Sequence, residues 1–111
     1  MIETIEIMIK NVANEQLSVL VMCSENICYK NNKKYKVTKE FIEDLIRTIR
    51  LWKTEYGNSE NIDSEEFTIV VKTGEQKEMF HGKGVFPNNY QYLMELLGEL
   101  YDWTMWKIFR L

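Results

Sequence analysis

The spacing of large apolar residues changes period along this chain, and that change constrains the fold more than any other feature. Ile5, Ile7 and Ile9 recur at every second position with Glu6 between them, the pattern of a strand with one face on a core. Phe41, Ile42, Leu45, Ile46, Ile49 and Trp52 then recur at helical spacing, which draws one broad apolar stripe. Phe67, Ile69 and Val71 return to alternation, and Tyr90, Leu93, Leu96, Leu97, Leu100, Tyr101 and Ile108 return to the helical pattern. The order is strands, helix, hairpin, helix. Such a chain predicts an α+β fold: a small, mainly antiparallel sheet with both helices packed on one face.

Local signals refine this reading. Leu17 to Cys23 is a near-continuous apolar run rich in β-branched residues, expected as a central strand pairing with the first. Ile27 to Tyr29 and Tyr35 to Val37 flank Asn31-Asn32, a pair that accepts left-handed turn conformations at low cost. This predicts a short second hairpin, or an extension of the first, with Tyr29 facing Tyr35 and Ile27 facing Val37. Thr38 suits a helix N-cap and Gly57 a residue just past a C-terminus, so a helix is expected over 39–56. Residues 57–65 read as a polar loop. Thr73-Gly74-Glu75 supplies a tight turn between residues 67–72 and a return strand over 76–81, which Gly82, Gly84 and Pro87 stop. A final helix is expected over 89–109, with Asn88 or Asn89 as its cap and Gly98 inside it.

The whole chain, 1–111, reads as a single domain. Its net charge of −3 lacks the basic excess that binding along duplex phosphates requires. Cys23 and Cys28 are too few for a disulfide scaffold. The start carries neither the basic residues nor the apolar core of a secretory signal, and no apolar run is long enough to span a membrane. The expected compartment is the cytoplasm. Abundant Lys, Asn, Ile and Glu beside one alanine and one proline suit AT-rich coding DNA, as in low-GC bacteria and their phages.

Several constellations bear on chemistry. Cys23, Cys28 and His81 offer three zinc-type ligands but no second closely spaced pair, so no metal or other cofactor is expected. No nucleophile elbow and no phosphate loop is present, and no catalytic residue is assigned. His81-Gly82-Lys83-Gly84 could form an anion-binding nest beside a lysine. Its simpler reading is a loop that needs glycine for backbone angles. Lys30, Lys33, Lys34, Lys36 and Lys39 surround a hairpin with Tyr29 and Tyr35 interleaved. Single-strand binding surfaces combine charge and rings in this way, and lysines also guard exposed sheet edges. Glu55, Glu60, Asp63, Glu65 and Glu66 form an acidic counterpart, so the chain is electrically bipolar.

The C-terminal stretch is crowded with Tyr101, Trp103, Met105, Trp106, Ile108, Phe109 and Leu111. On a helix these residues cover more than one face, and Trp, Tyr, Met and Phe are enriched at interfaces. The expectation is therefore a non-enzymatic protein-binding accessory protein, such as an inhibitor or immunity-type factor. Tyr101, Trp103, Trp106 and Phe109 would contact a protein partner or a second copy. The alternative is a nucleotide or single-stranded nucleic-acid binder using Lys30, Lys33, Lys34, Lys36 and Tyr35, or the turn carrying His81 and Lys83.

Overall fold

The computed structural model describes residues 1–58, with the backbone alone at Asn58, and 64–98. The described residues form the expected α+β fold: seven strands in one mostly antiparallel sheet, with two helices on one side. The strands are β1 (Thr4–Lys10), β2 (Gln16–Met22), β3 (Ile27–Lys30), β4 (Lys33–Lys36), β5 (Glu55–Asn58), β6 (Glu66–Thr73) and β7 (Gln76–Lys83). The helices are α1 (Lys39–Ile49) and α2 (Tyr90–Gly98). Across the sheet the order is β4-β3-β2-β1-β6-β7-β5, so β1 is the central strand and joins the N-terminal hairpins to the β6–β7 hairpin.

Alternation decides which side is covered. Ile5, Ile7 and Ile9 of β1, Leu17, Val19 and Val21 of β2, and Phe67, Ile69 and Val71 of β6 share one face and are buried. Phe41, Ile42, Leu45 and Ile49 of α1 and Leu93, Met94, Leu96 and Leu97 of α2 complete the same core. Thr38 caps α1, its hydroxyl accepting from the Phe41 N–H at 3.0 Å.

Turn chemistry sets the register. Asn31 and Asn32 both have positive φ, 47° and 72°, the signature of a two-residue type I′ hairpin loop. This corrects the expected pairing. Tyr29 stands opposite Lys34, Cys28 opposite Tyr35 and Ile27 opposite Lys36. A shift of one residue sends side chains to opposite faces, so the two tyrosines lie on different sides of the sheet. Gly74 (φ +60°) occupies the first position of the two-residue β6–β7 loop, as a type II′ turn requires.

A second correction concerns the expected helix over 39–56. α1 ends at Ile49, and Glu55–Asn58 forms β5, a short edge strand parallel to β7. Trp52 falls three residues after Ile49, so it continued the helical stripe on paper. Its N–H instead closes a tight turn onto the Ile49 carbonyl at 2.9 Å. The indole then packs edge-on against Tyr56 and Phe67. Gly57, with φ +76°, lies inside β5 at an irregularity of the ladder rather than at a helix end. The return strand β7 also runs two residues past His81 to Lys83. At Gly82 a Cβ would come within 2.5 Å of the Phe67 ring and 2.7 Å of the Val85 carbonyl oxygen. Glycine there admits the ring; it does not stop the strand. α2 begins directly after Asn89, and the remainder of the helix expected over 89–109 lies outside the described residues.

Candidate functional site on the sheet face opposite the helices

The helices protect one face of the sheet; the other, which no other described element covers, carries an apolar band. Reading across the strands, Tyr29 on β3 stands beside Leu20 on β2, Leu20 beside Glu6 on β1, Glu6 beside Val70 on β6, and Val70 beside Met79 on β7. Met8 and Met22 extend the band to either side, because they lie two residues from Glu6 and Leu20 on the same strands. Met79 is 57% exposed, Met8 45% and Tyr29 36%. Leu20, Val70 and Met22 are half-buried by their neighbours. An open antiparallel face normally alternates to polar residues; here Glu6 lies within the band, Ser18 and Thr68 flank Met8, and Lys10, Lys34, Lys36, Lys72 and Lys77 lie toward the margins.

One corner of the face holds the only histidine. His81 Nε2 lies 2.6 Å from a Glu66 carboxylate oxygen, and Nδ1 lies 3.4 Å from Glu55. The Glu66 carboxylate, with help from Glu55, holds the imidazole pKa above its ordinary value, against a smaller opposing effect of burial. His81 thus ties the edge strand β5 to β6 across β7, and its backbone N–H adds a bond to the Thr54 carbonyl at 2.9 Å. Beside it a shallow hollow of about 150 Å³ is lined by Met8, Lys10, Gln16, Glu66 and Thr68.

The residues singled out from sequence do not converge. Lys30, Lys33, Lys34 and Lys36 sit on the β3–β4 hairpin at one edge of the sheet, whereas His81 and Lys83 sit on β7 near the other. Lys33 lies over the Tyr35 ring, 5.5 Å from its centre. Because Tyr29 and Tyr35 face opposite sides, the hairpin offers one ring per side and not a shared stacking platform. In the His81–Gly84 segment, Gly82 is paired within the ladder, and the Gly84 N–H donates to the Glu65 carbonyl at 3.0 Å. The flanking Glu55 and Glu66 carboxylates are poor company for an anion. Tyr101, Trp103, Trp106 and Phe109 lie outside the described residues, as do Glu60 and Asp63.

The thiols are likewise far from the imidazole. Cys28 is fully buried on the core side of β3, and burial pushes its pKa up to about 11. Burial raises Cys23 as well. A raised thiol pKa suppresses the thiolate that nucleophilic attack needs. Among the described residues no group of three His, Cys, Asp or Glu side chains is placed to hold a metal ion. No described helix is long and apolar enough to cross a membrane.

The apolar band was legible only in part. Leu20 and Met22 belong to a run that looked buried throughout, and Met79 follows no periodic pattern of its own. The band emerges only when β1 joins the two hairpins and brings Leu20 and Val70 to either side of Glu6. Comparison with known proteins finds no family model that matches the chain and no curated protein with significant similarity to it.

Proposed function

We propose that this domain is a non-enzymatic protein-binding module and that its contact surface is the sheet face opposite the helices, which no other described element covers. The observation that carries the reading is the exposure of Met79, Met8 and Tyr29 in one band with Leu20, Val70 and Met22. Contiguous apolar surface of this kind marks contact sites, and Met with Tyr is the composition interfaces favour. Flexible methionines adapt to a partner's shape. The size and weakly acidic charge suit an accessory protein such as an inhibitor or immunity factor, working in the cytoplasm, where Cys23 and Cys28 remain free thiols.

A photo-crosslinking side chain placed at position 79 and, separately, at position 51 tests this in extract of the source cells. Leu51 is 89% exposed but stands on the opposite layer, so it controls for random collision. The expected result is a discrete adduct from position 79 that disappears when Met8 and Leu20 are replaced by Glu. Equal adduct patterns from both positions would reject the reading.

A further inference from the structure

The band has a charged centre, and that charge says what its partner must bring. Glu6 occupies the middle strand, with Leu20 and Val70 beside it and Thr4 and Met8 before and after it on the same face. Its side chain is exposed and makes no ion pair or hydrogen bond with any described residue. In water such a carboxylate costs nothing. Under a partner it would be stripped of water at the centre of an apolar contact, and an unpaired buried charge is strongly destabilising.

From this placement, and resting on the reading of the face given above, we infer that the partner presents a lysine or arginine surrounded by apolar side chains, which pairs with Glu6. Arginine fits best, because its planar fork bonds a carboxylate at two points and sheds water more readily than an ammonium. The apolar neighbours Leu20, Val70 and Met8 exclude water around the pair, the arrangement in which an interface concentrates its affinity. The margin carries the opposite instruction. Lys34, Lys36, Lys72 and Lys77 are exposed along the β4 edge and the end of the band near Thr4, whereas Glu55 and Glu66 flank the corner at His81, so the partner's rim is acidic along the lysine margin while its centre is basic.

The same geometry argues against a second copy of this chain as the occupant. Two such faces stacked about a two-fold axis near β1 would bring Glu6 against Glu6 and set lysine rims against lysine rims. Like charges in a contact are a common device for rejecting a wrong partner. The area suits a small contact: the five strands that carry the band, at about 4.8 Å by about five residues at 3.4 Å, span roughly 400 Å², and the whole seven-stranded face approaches the lower limit for one side of a standard interface.

The test pans a phage-displayed library of random sixteen-residue peptides against the immobilised full chain and against its Glu6→Arg variant. Glu6 is exposed, so the variant folds, and circular dichroism checks this. The wild-type chain should enrich apolar peptides with one central Lys or Arg, and the variant should enrich peptides with Asp or Glu there. A wild-type-selected peptide should bind at least tenfold more weakly to Glu6→Gln. Enrichment of the same charge pattern by both proteins, or no enrichment by the wild type, overturns the inference. A failure of the face itself is distinguishable: the selected peptides would then bind a Met8→Glu, Met79→Glu variant unchanged. Sedimentation of the wild type should show a monomer; a dimer that Met79→Glu dissociates would make a second copy the occupant and overturn the inference.

Discussion

Asn89 bonds both ends of the segment that leaves α1. Its Oδ1 accepts from the Trp52 indole N–H at 2.5 Å, and its Nδ2 donates to the Thr48 carbonyl at 3.0 Å. The second bond satisfies one of the carbonyls that a helix C-terminus leaves without an internal partner. The first fixes Trp52 over Phe67 and Tyr90. Asn89→Ala strands a donor and an acceptor and should cost about 2–4 kcal/mol in urea unfolding. Asn89→Asp keeps the acceptor and should cost less. Equal losses for the two would mean that the Trp52 bond contributes nothing.

Gly82 should tolerate no side chain. The methyl of Gly82→Ala would meet the Phe67 ring and the Val85 carbonyl well inside contact distance, and neither neighbour is the free end of a flexible side chain. A loss of about 2–4 kcal/mol is expected from overpacking at a buried strand, read from the denaturation midpoint. Gly74→Ala has open space around it, so its smaller loss would come from the positive φ alone.

The architecture was legible because alternation and helical spacing report burial directly, and burial decides the layers. Ile5, Ile7 and Ile9, and the stripe from Phe41 to Ile49, all face the core as their spacing demands. What failed has physical causes. Trp52 matched the helical stripe while its indole was committed to a cluster with Tyr56, Phe67 and Tyr90, so the helix was expected to continue through a strand. The tyrosine pairing failed because Asn31 and Asn32 make a two-residue loop, and local residues seldom reveal a shift of one. The apolar band depends on pairings between β1 and β6 separated by about sixty residues, which no local pattern encodes. His81 was singled out for a nest, yet its surroundings are two carboxylates contributed by β5 and β6.

The His81 bridge should make stability depend on pH with a definite sign. The folded-state pKa is raised, so protonated His81 stabilises fully below its unfolded value near pH ~6.5. That contribution is lost as pH rises through the folded pKa. The melting temperature of the wild type should therefore exceed that of His81→Gln at pH 6, and the gap should narrow as pH rises through the raised folded pKa. A gap that widens with pH would show that Glu55 and Glu66 do not hold the imidazolium.

If the band serves contact and not folding, polar strand-forming replacements should leave the domain intact. The triple variant Met8→Thr, Tyr29→Thr, Met79→Thr should unfold within about 0.5–1 kcal/mol of the wild type, as exposed positions usually do. A loss of about 3 kcal/mol or more would place these side chains in the chain's own core.

Occupancy of the face can be read from its methionines. Met8 and Met79 are exposed, Met1 is fully exposed at 99%, and Met94 is buried at 5%, so one chain carries both controls. Exposed thioethers oxidise to sulfoxide, and covered ones resist. In the purified protein, peroxide should oxidise Met8 and Met79 at rates near that of Met1, and Met94 far more slowly. In extract of the source cells, Met8 and Met79 should become protected several-fold relative to Met1. Unchanged relative rates in extract, or protection already complete in the purified monomer, would contradict the claim that this face is held open for a partner.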